Sequence, residues 1–529
     1  MDAVARTTHQ NGKSLILVAM VLTVAMMSVD QTIVAIGVPK IQSGLALSNT
    51  GSQWTINAYV VALAAVFALG GKLGDLFGHR RLVVIGTLGF SGASVLCGAA
   101  PRGSAAEAWL IAARALQGVF GALLFPAALA IVVASFAPRE RGKALALFFG
   151  VSGALTSVGP IMGSVLLPWT WRAIFFINVP IAAIALILIA RAKPADERTP
   201  GRVDIRGAAL VTSGMTLLVL GLQQASQWGW GSAATVGSLA GGGGLLIAFV
   251  LLELRTEDPL IDIRIFRDSG FAADSVVVAL VYACFLPLFF FSSIYAELVL
   301  GYGPSATGLY ALLIFSGFAA GSQVGGRMLD RRGARAAAFI GTALGATGFA
   351  LWAKSLSQGV SGQWYWILLA GAGVGLALTP TSTDAVNRAP RGSYGEVTGV
   401  TQTLRYFASS LALAILGTIL LAQTRSNIET SFMQQGVPRA AAARIAARFS
   451  TADHAATPTA TAGNQAASAL ATIQHDFTLA SQIVFYALAG IMAVGFLVAA
   501  RGMARGIPDQ VLHSVDAEPA LEPLVIHVS

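Results

Sequence analysis

The sequence predicts an all-α membrane protein built as two six-helix halves with two further helices inserted between them, fourteen transmembrane helices in all. Three observations lead there. The first concerns solvent: 55% of the residues are hydrophobic, only 11% are charged, and the mean hydropathy is +0.71. A soluble domain carries roughly 25% charged residues, so lipid must face most of this chain's surface. The second is spacing, because the apolar residues fall into runs near the roughly 20 residues that a helix needs to cross a bilayer. The third is a repeat. The stretch Gly71-Lys72-Leu73-Gly74-Asp75-Leu76-Phe77-Gly78-His79-Arg80-Arg81 returns, more loosely, as Gly326-Arg327-Met328-Leu329-Asp330-Arg331-Arg332-Gly333-Ala334-Arg335, displaced by 255 residues. The same displacement carries the first apolar run, opening near Leu15, onto another opening near Gly270.

In chain order, the first half (1–192) holds runs at 15–39, 53–74, 81–99, 107–135, 143–167 and 172–192. The first run contains Asp30 and is followed by no small-residue cleavage site, so it reads as a retained span and not as a signal peptide. A linker and the inserted pair (206–225 and 232–254) fill 193–264. The second half (265–507) holds runs at 271–298, 306–327, 337–354, 364–385, 397–423 and 477–500. Unpaired backbone is not tolerated in lipid, so each run should be a helix. Residues 425–475 form the one long loop, in which 438–449 suit either a short amphipathic helix or a flexible spacer; 508–529 read as a disordered tail.

Counting Lys and Arg sets the orientation. With the N-terminus inside, 24 of the 34 fall on the cytoplasmic side, eight on the outer side, and two, Arg114 and Arg405, within spans. That bias places both termini in the cytoplasm and the 425–475 loop outside. Trp169, Trp171, Trp228, Trp230, Trp364 and Trp366 then gather at outer span ends, as an interfacial belt would. The net charge of +9 is explained by this topology and does not call for nucleic acid. The two cysteines lie within apolar runs and imply no metal cluster or disulfide framework. No nucleotide loop, HExxH or GxSxG lies in a soluble segment long enough to fold an enzyme.

The chemistry sits where charge meets lipid. A central Asp costs about 2.5–3.5 kcal/mol on an insertion scale, so Asp30 requires a partner or a cavity, and Arg114 is the natural partner. All six histidines lie outside the apolar runs, so a carboxylate must carry any proton that crosses. On the residues alone the pair is either a proton site, neutral when Asp30 is protonated, or a static structural tie. Glu297, Asp274 and Asp384 lie near span ends and are expected to face water. Polar residues in membrane helices usually face the interior. Gln31, Asn57, Gln117, Tyr282, Tyr295 and Gln402 are therefore candidate cavity residues, with Met26 and Phe125 as apolar wall and Arg405 either lining the cavity or tying its helix to neighbours. In the 71–81 loop, Gly71 and Gly78 permit close approach, and Asp75 suits a helix N-terminus or an Arg side chain across the seam. Lys72, Arg80 and Arg81 alone would retain the loop inside. Gly159-Pro160 bends the fifth span, and Gly159 with Gly163 forms a small-residue face for close packing.

The 71–81 loop resembles the signature loop of the major facilitator superfamily, and the inserted pair makes the chain similar to that superfamily's fourteen-span drug:proton antiporters. Further stretches carry the resemblance in order: 29–39 around Asp30 and Gln31, the fourth span from Leu110 through Arg114 to Gln117-Gly118, the fifth span at Gly150, Gly153, Gly159-Pro160 and Gly163, and Ile177-Asn178-Val179-Pro180. The resemblance implies a major facilitator fold in the plasma (inner) membrane and a proton-coupled antiporter. It would export amphipathic small molecules, cationic or neutral (drugs, toxic cations or antibiotics), by alternating access. Asp30 and Arg114 would couple protons, and Asp75, with Asp330 in the second copy, would hold the cytoplasmic side shut. The implied partners are substrate, protons and the lipid bilayer; no cofactor is expected beyond the proton gradient, and a monomer suffices. A dedicated exporter of one self-made metabolite and a transport-inactive sensor or scaffold are the alternatives.

Overall fold

The computed structural model describes residues 2–156, 158–194, 198, 203–257, 259–388, 394–450, 464–504 and 506. The first half contains α1 (Asp2–Leu45), α2 (Asn49–Phe77), α3 (His79–Gly98), α4 (Ala106–Ser135), α5 (Pro138–Thr156), α6 (Val158–Leu166), α7 (Ala173–Phe176) and α8 (Asn178–Ala192). The inserted pair is α9 (Ile205–Trp228) and α10 (Ala233–Glu253). The second half contains α11 (Ser269–Leu298), α12 (Pro304–Arg332), α13 (Ala334–Ser355), α14 (Gly359–Asn387), α15 (Tyr394–Gln434), α16 (Arg439–Ser450) and α17 (Asn464–Gly502).

Twelve described segments are long and apolar enough to cross a membrane. One of them, Ala334–Asn387, holds two helices, α13 and α14, joined by a 3-10 turn at Leu356–Gln358. The fifth span is not among the twelve: residue 157 lies outside the described residues, and the described parts on either side of it are α5, which opens on Arg139, Glu140, Arg141 and Lys143, and α6. Counting both gives fourteen crossing rods. The bend expected at Gly159-Pro160 borders residue 157, which lies outside the described residues. Helix starts follow side-chain caps: Ser48, Asp204 and Asp268 accept from the first-turn N–H groups of α2, α9 and α11.

Within the first half α4 packs on α2 and α3, and α1 on α5 and α8; within the second, α14 packs on α12 and α13, and α11 on α15 and α17. Two seams join the halves, α2 with α15 and α5 with α12, while α9 of the inserted pair rests on α2 and α15. Each seam closes on glycines. A Cβ on Gly71 would stand 2.1 Å from the Gly395 carbonyl, and one on Gly326 would stand 2.5 Å from that of Gly142. Gly71 and Gly326 are the equivalent first residues of the two loop copies, so the repeat in the sequence is also a repeat in contact geometry. The same holds for the backbone. Gly78 (φ 97°) and Gly333 (φ 78°), again 255 apart, turn one helix directly into the next in a region that favours glycine.

At the opposite end Trp169, Trp228, Trp230 and Trp364 are exposed. There α15 runs past the expected 423 to Gln434, and α16 folds back on it, burying Ala442 and Ala446 against Ile428 and Phe432. The stretch read as helix or spacer is thus helical over Arg439–Ser450, while 451–463 and the tail from 507 lie outside the described residues.

Candidate functional site

Asp30 is fully buried and lies in the interior of the first half. Arg114 of α4 donates from Nη1 to Asp30 Oδ2 at 2.6 Å. Gln117, one turn further along α4, donates to Oδ1 at 2.9 Å, and Asn178 at the start of α8 donates to the same oxygen at 3.0 Å. Ser94 of α3 accepts from both amides, at 3.1 and 2.7 Å, and donates to the Phe175 carbonyl. Arg114 is held in turn by the Thr55 carbonyl at 2.9 Å, by Gln117 Oε1 at 2.6 Å and by the Tyr59 ring, 4.5 Å below its guanidinium. One carboxylate therefore gathers side chains from α3, α4 and α8 around α1. A buried ion pair is tolerated only when its remaining lone pairs and protons are satisfied, and here the charged oxygens receive three donors. Protonation would remove the charge that draws all three together.

The second cluster closes one end of the molecule. Asp75 of α2 accepts from the backbone N–H groups of Gly395 (2.9 Å) and Glu396 (2.7 Å), the opening residues of α15. It thus acts as a cap supplied from the other half, placing negative charge on donors that have no partner within their own helix. Of the two possibilities open for Asp75, the helix N-terminus is the one realised. His79 Nε2 lies 3.1 Å from Asp75 Oδ1, and Lys72 reaches Glu396 Oε2 at 3.3 Å. The other oxygen of Glu396 accepts from the Asp262 N–H at 2.5 Å. Arg141 adds a bond to Asn387 at 3.2 Å and lies over the Tyr394 ring. At the second seam Asp330 faces Gly142, where a Cβ would come within 2.4 Å of its Oδ1. Arg80 and Arg81 lie on the flank of this end, Arg81 exposed.

The remaining candidates divide. Gln31 donates across the halves to the Tyr406 hydroxyl at 3.5 Å, and Asn57, Phe125 and Tyr282 are part-buried. Gln117 belongs to the Asp30 cluster. Met26 is fully buried in the first-half core, and Tyr295, 1% exposed, donates to the Leu356 carbonyl, so neither faces open space in this conformation. Gln402 and Arg405 are buried and bonded to each other. Gly159 packs against Thr32 and Ile33 of α1, and Gly163 against Ile33 and Ile36, which is the close contact their size permits. Glu297 is exposed, as expected. Asp274 and Asp384 do not face water: they are 1% and 3% exposed and converge on Arg388 Nε at 3.2 and 3.1 Å. A basic residue four positions past Asp384 on α14 lets both carboxylates turn inward.

Sequence reasoning did not single out Ser94, Thr55 or Tyr59. Asn178 stood only as part of a motif, although an amide opening an apolar run was a signal that it faces other polar groups.

Two helical halves, a buried ion pair in one of them and a capped seam at one end fit a multi-pass membrane transporter. The chain matches the family described as the Major Facilitator Superfamily over residues 20–413, and it belongs to that family. It is 32% identical to the tetracenomycin C resistance and export protein of Streptomyces glaucescens, over 93% of this chain and 92% of that one. It is 30% identical to the multidrug resistance protein Stp of Mycobacterium tuberculosis, over 80% of this chain and 79% of that one. Among solved structures, the proton:xylose symporter XylE superposes with a TM-score of 0.62 at 10% identity, covering 96% of this chain and 99% of that chain, a likeness of fold.

Proposed function

We propose that the protein exports amphipathic small molecules across the plasma membrane in exchange for protons, with both termini and the capped seam on the cytoplasmic side. The observation that carries this reading is Asp30, a buried carboxylate whose charge holds Arg114, Gln117 and Asn178 together. Open to the outside, the protein releases substrate as Asp30 takes a proton; open to the cytoplasm, it loses that proton and binds substrate. A proton crossing 100 mV yields about 2.3 kcal/mol, and one pH unit adds about 1.4 kcal/mol, a factor of ten. Together they support an outward gradient of roughly a few hundred-fold for a neutral substrate exchanged one for one. The seam capped by Asp75 is the gate that this cycle opens and closes.

The end-to-end similarity to a tetracenomycin C resistance and export protein favours a second reading, a transporter dedicated to one self-made metabolite such as an antibiotic. A panel of fluorescent amphipathic dyes tests both in energised cells, with wild type, Asp30→Asn and a protonophore compared. Export abolished by both the substitution and the protonophore is the expected result. Undiminished export by Asp30→Asn removes the coupling role from Asp30, and export of a single dye chemistry favours the dedicated reading.

A further inference from the structure

Among the described residues, one buried charge near the middle of the membrane has no opposite partner. Arg405 is 2% exposed and lies eleven residues into α15, about 16 Å along the helix axis in a bilayer core about 30 Å thick. Its Nη1 donates to Gln402 Oε1 and its Nη2 to Ser382 Oγ. Phe149 and Tyr282 present their ring faces to the guanidinium at 5.2 and 5.5 Å. Among the described residues no carboxylate lies within ion-pair distance, and the buried Nε has no hydrogen-bond partner. Two neutral acceptors and two rings solvate a guanidinium but do not neutralise it. The position is also one that transport must disturb. Phe149 belongs to the first half, whereas Ser382, Gln402 and Tyr282 belong to the second. Beside them Tyr406 bonds to Gln31 and packs against the rings of Phe67 (5.0 Å) and Tyr282 (6.0 Å). The guanidinium is thus held in an aromatic seam between the halves, with donors left over.

We propose that Arg405 binds an acidic group of the exported molecule, a carboxylate or ionised phenol carried on a flat aromatic body whose rings pack on Phe149, Tyr282 and Tyr406. The inference rests on the export reading and replaces the expectation of cationic or neutral substrates. The free Nε beside Nη2 is the edge that a carboxylate meets with two parallel bonds. The rings offer flat faces on which an aromatic acid can stack.

Three fluorescent probes of one shape and different charge test it: anthracene-9-carboxylate, its methyl ester and 9-anthracenemethylammonium. Binding is titrated to the full-length protein in nanodiscs, and movement is followed in proteoliposomes under an imposed proton gradient. Wild type is expected to bind the carboxylate about tenfold or more tighter than the ester, the scale of one charge-assisted hydrogen bond. Arg405→Met should abolish that preference and leave ester binding unchanged, and Arg405→Lys should keep part of it, which shows that loss in the methionine variant is not misfolding. Equal affinities in wild type, a preference for the ammonium, binding of none of the three, or an unchanged preference in Arg405→Met each overturn the inference. Arg405-dependent binding of the carboxylate without proton-driven movement would leave the site standing and remove the export reading. Proton-driven movement of all three probes without charge preference would do the reverse.

Discussion

Each half of the protein buries one arginine within the membrane, and the two are treated in opposite ways. Arg114 sits against a carboxylate that also receives Gln117 and Asn178, so its charge is neutralised where it stands. Arg405 has neutral oxygens and ring faces, a spare Nε and no counter-charge among the described residues. A lone basic residue at the centre of a membrane helix costs about 2.5–3.5 kcal/mol on an insertion scale. The first half offsets that cost internally, whereas the second leaves it in place at the seam between the halves. The contrast separates the halves: a neutral ion pair sealed inside one, and a standing positive charge where the two meet.

The largest effect should come from breaking the neutral pair. Arg114→Ala leaves Asp30 buried with two amides and no cation, which should lower stability by about 3–5 kcal/mol, read as the thermal unfolding midpoint of purified protein in detergent. Adding Asp30→Asn to that variant should recover most of the loss. A single variant that melts with wild type would show that the pair holds nothing together.

A smaller effect tests what the halves share. Gly71→Val and Gly326→Val place a side chain on a carbonyl of the opposite half, at glycines related by the repeat. Overpacking of this kind costs about 1–3 kcal/mol, enough to shift the closed seam toward open by roughly fivefold to a hundredfold. Spin labels on Arg81 and Arg332, both exposed at the capped end, should report longer distances in both variants. A change in only one would mean that a single seam governs closure.

The smallest effect is expected at Arg405. In Arg405→Met the relieved charge offsets the lost ring and hydrogen-bond contacts, so stability should stay within about 1 kcal/mol of wild type. A loss as large as that of Arg114→Ala would make Arg405 a structural tie and erase the contrast between the halves.

Much of this arrangement was legible because lipid restricts what a sequence can do. Asp30 and Arg114 could be expected to meet, since few ionic partners exist inside apolar runs, and the 255-residue displacement placed Gly326, Asp330 and Gly333 before any coordinates did. Neutral polar groups were harder to read. A serine in a membrane helix can bond to its own backbone, so nothing in Ser94 itself announces that it links Gln117 to Asn178. Asp274 and Asp384 were misread because position near a span end suggests water, whereas Arg388 supplied a reason to turn inward. Hydropathy also loses sight of a helix that leaves the bilayer, which is why the outer part of α15 escaped it and α16 stood only as one of two readings of 438–449.

Glu396 divides its two oxygens between Lys72 of the first half and the backbone of Asp262, just ahead of α11. When the seam parts, Lys72 must depart with α2, while Asp262 belongs to the segment that leads into the half containing Glu396. One oxygen is a catch and the other a mooring. Next to that mooring, Ile261 donates its backbone N–H to Glu253 Oε2 at the end of α10, at 3.2 Å. The inserted helices are therefore linked, through neighbouring backbone N–H groups, to the oxygen of Glu396 that stays behind when the seam parts.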